Sequence, residues 1–200
     1  MDSGTPKTAR GRPDDNAFAY VAAQAIKEIA RKRNESLSAD VPKSVLSDFI
    51  SLMFDADYVG DDAVAEVLDD EDITPEQTLD VLIPKVAEKL GTNWLTDQMS
   101  FARVTVVSAR LQTLAWKFIE AYRDAVDQML DAPRTLFIVP DGETHTLGGV
   151  LAMGAFARRG AEIISAMGMP DRELVELVRT GRFVLIAISA ASSTDPKKVE

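Results

Sequence analysis

Three short apolar runs in the last third of the chain limit its fold more than any other feature. They cover residues 135–140, 161–166 and 183–189; all three have the length of strands, and the nearly continuous apolar character of the first and third is typical of strands buried in a parallel sheet. The segments between them have apolar residues at helical spacing, around Val150–Phe156 and Leu174–Val178. A strand, helix, strand, helix, strand order predicts a parallel, right-handed βαβαβ unit.

The residues before this unit have helical rather than strand periodicity. Apolar residues recur every three or four positions between residues 41 and 131, which predicts a four-helix bundle. Thr74 and Gln77 have the spacing of a capping box, with Pro75 in the first turn. We expect the helix that begins there to end at Gly91, because glycine is the usual residue just after a helix. The last helix is expected to begin near Asp97 or Ser100 and to reach Leu130.

The expected fold class is therefore α + α/β, in three regions. Residues 1–40 form an N-terminal arm and a helix, which begins near Asp14 and ends in a cationic run at residues 31–33. Residues 41–131 form the helical bundle. Residues 132–200 form a Rossmann-like, flavodoxin-like parallel unit.

Composition excludes several classes of function. The chain has a formal net charge of -10, no cysteine and one histidine, so thiol catalysis, disulfides and cysteine-bound metals are excluded. We expect no tight direct binding to nucleic acid, because phosphate binding needs clustered cations. No segment is apolar enough for a membrane span and the N-terminus has no signal-peptide pattern, so a cytoplasmic location is expected. The acidic run at residues 69–72 is expected to be a solvated loop.

The single histidine, His145, lies in the loop after the first predicted strand. It is set in the frame Glu-x-His-x-x-Gly, with Glu143 before it and Gly148 and Gly149 after it. The carboxyl ends of parallel strands are where open α/β sheets bind ligands. A lone imidazole with a nearby carboxylate predicts a metal-binding position at His145, with Glu143 as the acceptor that fixes its tautomer.

The order of these parts resembles the cobalamin-binding modules of methionine synthases, corrinoid methyl carriers and light-sensing regulators. The family pattern is Asp-x-His-x-x-Gly, then about forty residues, then Ser-x-Leu, then a later Gly-Gly. This chain has Glu143 in place of the aspartate, Ser189 at the expected interval and Ala191 in place of the leucine. The bundle has a Leu-Gly-x-x-Trp segment at residues 90–94. The resemblance covers roughly residues 41–195 and is nearest to the AerR/PpaA photosynthesis antirepressor regulators.

This resemblance implies a site for cobalamin between the bundle and the parallel unit. A corrin supplies four nitrogens to cobalt, so one imidazole is enough for the lower axial position. Complete units of this family have five strands and a third motif block, and we therefore expect this unit to be truncated at its C-terminus. The implied roles are the cobalt ligand (His145), its hydrogen-bond acceptor (Glu143), passage and binding of the nucleotide tail (Gly148, Gly149, Ser189) and cover of the corrin (Trp94, Phe101).

The resemblance leaves more than one function open. One is a light- or redox-responsive transcriptional regulator that is not an enzyme and acts through a DNA-binding repressor of photosynthesis genes. Another is a corrinoid methyl carrier of a methyltransferase system. A third is a haem-binding sensor, because a planar macrocycle with one histidine ligand would also fit the loop. No histidine occurs between Phe101 and Thr105, so we expect any upper cobalt ligand to be a small molecule, a carbon ligand or a group from a partner.

Overall fold

The computed structural model describes residues 35–38, 40–126, 132–143 and 145–189. The chain divides into two compact units, residues 1–40 and 41–200. Of the first unit, only the helical residues 35–38 and the turn residue Asp40 are described. The predicted arm and most of the predicted N-terminal helix therefore lie outside the described residues.

The bundle is all-helical, as predicted. It contains α1 (Lys43–Phe54), α2 (Asp61–Asp70), α3 (Pro75–Gln77), a π-helical segment (Thr78–Leu82), α4 (Ile83–Leu95) and α5 (Phe101–Val126). The long α5 packs against α1, α2 and α4. Their apolar stripes form one core, with fully buried side chains that include Phe49, Met53, Leu82, Val86, Leu111 and Leu114.

The ends of these helices agree only in part with the sequence predictions. The capping box is confirmed, because the Thr74 hydroxyl accepts from the Gln77 amide at 3.1 Å and Gln77 Oε1 accepts from the Thr74 amide at 2.9 Å. The predicted stop at Gly91 is wrong, since α4 continues to Leu95. The left-handed backbone that ends it falls on Asp97, with φ 54°. The predicted end at Leu130 lies outside the described residues.

Two arginines of α5 stabilise the C-terminal end of α1. Arg103 donates to the Phe54 carbonyl, and Arg110 Nη1 donates to the carbonyls of Met53 at 2.9 Å and Asp55 at 2.6 Å. The Arg110 guanidinium also lies 4.4 Å from the centre of the Tyr58 ring. Cations at the negative end of a helix satisfy its last carbonyls and its dipole. The end of α1 is thereby fixed to α5.

The α/β unit is a three-stranded parallel sheet with two helices. Its elements are β1 (Arg134–Val139), α6 (Thr146–Ala157), β2 (Glu162–Met167), α7 (Asp171–Thr180) and β3 (Leu185–Ile188), with the strand order β2-β1-β3. Leu136 is in register with Ile164 of β2 and with Ile186 of β3. The predicted order of elements and the parallel pairing are confirmed, and the architecture fits an α + α/β fold. Among the described residues, no helix is both long and apolar enough to span a membrane.

Burial differs sharply across this sheet. The central strand β1 is buried from Thr135 to Val139, which confirms the prediction of a fully buried strand. Strand β3 is shorter than the predicted run 183–189 and has exposed apolar side chains, including Leu185 at 43% and Ile188 at 46%. Helix α7 has no fully buried residue. An edge position explains this exposure, because the described residues pair with β3 on one side only.

The bundle and the sheet are joined through close packing of α5 on α6. A Cβ atom built at Gly154 would lie 3.0 Å from Cγ1 of Ile119, so the two helices approach too closely for a larger residue without rearrangement. At the end of α6, Arg158 Nη2 contacts both carboxylate oxygens of Asp80 at 3.0 and 2.8 Å. The side chains are only 8% and 17% exposed. Arg158 follows the last residue of α6, so the pair fixes the end of this helix to the bundle.

Candidate cofactor-binding site

The histidine loop leaves β1 through a tight turn. The Glu143 amide donates to the Pro140 carbonyl at 3.1 Å, and Gly142 lies between them with φ 76°. A turn with a positive φ at its third residue favours glycine there, because a side chain would crowd the backbone. The turn reverses the chain immediately after the strand and presents the next residues at the carboxyl edge of the sheet.

Glu143 and His145 form the pair that the sequence predicted. Glu143 Oε1 accepts from the His145 amide at 2.7 Å and lies 3.1 Å from His145 Nδ1. The Glu143 side chain is 4% exposed, whereas that of His145 is 70% exposed. An acceptor at Nδ1 holds the ring proton there, so the lone pair is on Nε2. A buried carboxylate therefore orients an exposed imidazole, which is the arrangement of a metal-ligating histidine and its supporting acceptor.

Ser189 lies beside this loop although it is distant in sequence. Its amide donates to the Ile138 carbonyl at 2.8 Å, which continues the ladder at the end of β3. A Cβ atom at Gly149 would lie 3.2 Å from Ser189 Oγ and 3.3 Å from Cγ2 of Val139. Glycine is thus required for the close approach of α6 to the sheet at this point. Gly148 is exposed, and a Cβ atom there would meet nothing within 4 Å.

The strand order places the loop at the point where the sheet changes direction. From β1 the chain crosses to β2 on one side, and then returns to β3 on the other side. The carboxyl edge of the sheet holds the histidine loop after β1, Gly168 after β2 and Ser189 after β3. In open parallel sheets the ligand crevice forms at this reversal. The sequence-predicted residues Glu143, His145, Gly149 and Ser189 are therefore brought to one edge.

Trp94 and Phe101 form a second group, in the bundle. Their ring centroids are 6.1 Å apart with an interplanar angle of 62°, an edge-to-face contact across the turn between α4 and α5. Trp94 is 45% exposed and Phe101 is 72% exposed, so neither is a core residue. Leu95 and Val106 are also exposed nearby in sequence. Exposed aromatic rings of this kind are available to cover an apolar ligand.

A contact that the sequence analysis missed connects α5 with the histidine loop. Gln112 Nε2 donates to Thr146 Oγ1 at 2.9 Å, and Thr146 directly follows His145. Phe101, Ser108 and Gln112 fall on one face of α5, because seven and eleven residues are close to whole numbers of turns. Along that face the rise from Phe101 to Gln112 is about 16 Å. In the sequence, the sign of this contact was a polar residue, Gln112, between two leucines that are buried, Leu111 and Leu114.

The described residues contain no group of three or more histidine, aspartate or glutamate side chains that could hold a metal ion.

No family model matches the sequence. The chain is 34% identical over 112 residues to the "Uncharacterized 20.5 kDa protein in bchF-crtJ intergenic region" of Rhodobacter capsulatus. The match covers 55% of this chain and 57% of that relative.

Proposed function

We propose that this protein binds cobalamin and acts as a light- or redox-responsive transcriptional regulator. The observation that carries the proposal is the pairing of the buried Glu143 carboxylate with Nδ1 of the exposed His145 ring at 3.1 Å. This arrangement provides one well-oriented imidazole. A tetrapyrrole-type macrocycle needs only that, because it brings four nitrogens of its own.

The other described residues fit such a cofactor. His145 would be the lower axial ligand, and Glu143 would keep its proton on Nδ1. Ser189 and the two glycines would accept the nucleotide tail, because Gly148 is open and Gly149 keeps α6 close to the sheet. Trp94 and Phe101 would cover the corrin from the bundle. When bound, the cobalt centre would supply the light- or redox-sensitive chemistry of the signal.

The regulatory part of the proposal is supported by charge and by the relative. A net charge of -10 disfavours direct binding to DNA and favours a basic protein as partner. The similar protein of Rhodobacter capsulatus lies in the bchF-crtJ intergenic region, a photosynthesis gene region. We therefore propose that the partner is a DNA-binding repressor of photosynthesis genes, whose occupancy of DNA is reduced by the cobalamin-loaded protein.

The cofactor is tested by absorption spectroscopy of the purified protein with hydroxocobalamin and, separately, with haem. We expect a cobalamin spectrum that survives desalting, and its loss in His145→Ala with no change in the melting temperature, because the ring is exposed and its removal leaves no core cavity. Trp94→Ala should retain the cofactor, because a covering residue makes no bond to the metal. Equal retention of cobalamin by His145→Ala would exclude His145 as the cobalt ligand. Retention of haem alone would make the protein a haem sensor.

The regulatory role is tested by a gel shift of a photosynthesis promoter with its repressor, in darkness and in light. We expect the cobalamin-loaded protein to release the repressor from DNA, and the His145→Ala variant to have no effect. A methyl-transfer assay is run in parallel with the same preparations. Methyl transfer without any effect on the repressor would identify a corrinoid methyl carrier instead.

A further inference from the structure

An apolar groove lies on the bundle between α1 and α2. It encloses a cavity of about 50 Å³, far smaller than the roughly 300 Å³ or more of a typical cofactor pocket. The space is enough for the end of one large side chain. Its lining is mainly apolar, with one acidic residue from α1 and one that directly follows α2. The lining residues are Val45, Phe49, Leu52, Val64, Val67 and Leu68, with Asp48 and Glu71.

The segment that forms one wall of this groove carries charge of one sign. Residues 61–72, which include α2, contain seven acidic residues and no lysine or arginine. Asp62 pairs with Lys117 at 2.6 Å and Asp61 accepts from the Tyr58 hydroxyl, both at the N-terminal end of α2. Asp69 and Asp70 lie at the opposite end, and the last turn of α2 has no basic residue.

The position of Asp69 and Asp70 at the C-terminal end of α2 is unfavourable for this helix. Carboxylates at the C-terminus of a helix are repelled by the negative end of its dipole. They also stand close to Glu71 and Asp72, so like charges repel each other. Local stability therefore does not account for them. A cationic partner at this end of α2 would relieve the repulsion, so the charge pattern is complementary to a basic surface.

We infer that the α1–α2 groove is a docking site for a basic amphipathic helix of a partner protein. A third helix packs naturally into the groove between two others, with one large apolar side chain in the cavity. Lysine and arginine residues flanking that anchor would face Asp48 and the acids of residues 69–72. The identification of the partner as a basic protein agrees with, and rests on, the proposed regulatory function; the groove and its charge do not depend on cobalamin.

The inference is tested on the full-length protein without cofactor. The probe is a fluorescein-labelled helical peptide of about 18 residues, with leucines at helical spacing and lysines on the flanks, and binding is followed by fluorescence anisotropy. We expect saturable binding that weakens with salt, and no binding of the same peptide with glutamate in place of lysine. Val67→Asp should weaken binding about tenfold or more, because it places a carboxylate in the apolar contact.

Val175→Asp is the matched control. Val175 is 57% exposed on α7, and Val67 is 47% exposed on α2, so both substitutions add one negative charge at an accessible valine. Non-specific attraction of a cationic peptide would rise slightly in both variants, whereas groove binding falls only in Val67→Asp. Equal affinity of the two variants, or no binding by the parent protein, would overturn the inference. Equal melting temperatures of the variants check that both remain folded, and retention of cobalamin is measured separately.

Discussion

The α/β unit has two unlike halves. The inner half consists of α6, which packs against α5 of the bundle, and β1, which packs against α6 and is buried along its length from Thr135. The outer half, β3 and α7, has apolar side chains that are nearly half exposed, such as Ile186 at 43% and Val178 at 40%. Both strands are apolar in sequence, so the difference comes from position. An apolar run predicts a strand, but the neighbours of that strand decide whether its side chains are buried.

The largest effect is expected where the inner half meets the bundle. Asp80→Ala removes the carboxylate that pairs with Arg158, whose Nε and Nη1 atoms are buried with no hydrogen-bond partner among the described residues. Leaving that guanidinium uncompensated should lower the free energy of unfolding by about 3 to 5 kcal/mol, measured by urea denaturation.

Two further variants give that measurement its controls. Glu162→Ala breaks the pair with Arg134, whose side chains are 36% and 40% exposed, and should cost less than about 1 kcal/mol. Replacing both members of the buried pair, in Asp80→Leu with Arg158→Met, should restore most of the stability. If Asp80→Ala and Glu162→Ala lower the free energy of unfolding equally, the contact of Asp80 with Arg158 does not stabilise the inner half.

The next largest effect is expected between the two halves at one pair of residues in register. Leu136 of β1 and Ile186 of β3 are in register but are 0% and 43% exposed. Leu136→Ala should cost about 2 to 5 kcal/mol, because it leaves a cavity in the core. Ile186→Ala should cost less, about 1 kcal/mol, because nearly half of the residue's surface is already in water and no closed cavity is left. Equal losses in denaturation experiments would show that β3 is covered in solution.

The smallest effect is on the surface of the bundle and depends on pH. A hydrogen bond and the charge of Lys117 hold the pKa of Asp62 below its ordinary range. Such a carboxyl adds stability above its unfolded pKa, near 4, and that stability is lost as the pH falls through the lowered value. Lys117→Met should therefore be slightly less stable than the parent near pH 7, with the difference vanishing at lower pH. A difference that is constant with pH would indicate lost packing instead of lost charge.

The local sequence signals predicted much of the fold. The buried β1, the parallel pairing and the capping box at Thr74 all depend on neighbouring residues or on simple periodicity. The stop predicted at Gly91 was wrong because glycine permits a left-handed turn without requiring one, and the helix continues until Asp97 adopts it. The exposure of β3 was not predictable, since a run of apolar residues does not show which other elements pack against it.

The candidate site was predictable to a similar degree. Glu143 and His145 are two residues apart, so their contact follows from the loop itself. The closeness of Ser189 to Gly149 needed a spacing taken from a family resemblance, and it depends on the strand order. The contact of Gln112 with Thr146 and that of Arg158 with Asp80 join residues 34 and 78 positions apart. Long-range polar contacts of this kind depend on how the bundle is oriented against the sheet, which no local pattern specifies.

The capping of α1 by Arg110 has a thermodynamic consequence when it is considered together with Gln112. These two residues of α5 are two positions apart. Arg110 holds the end of the groove helix α1, and Gln112 holds the end of the histidine loop. A single rigid helix therefore touches both surfaces. If a ligand at His145 displaces this part of α5 and changes the affinity of the groove for its occupant, the occupant must change the affinity for that ligand by the same factor. Measuring either affinity with and without the other molecule gives one coupling free energy by two independent routes.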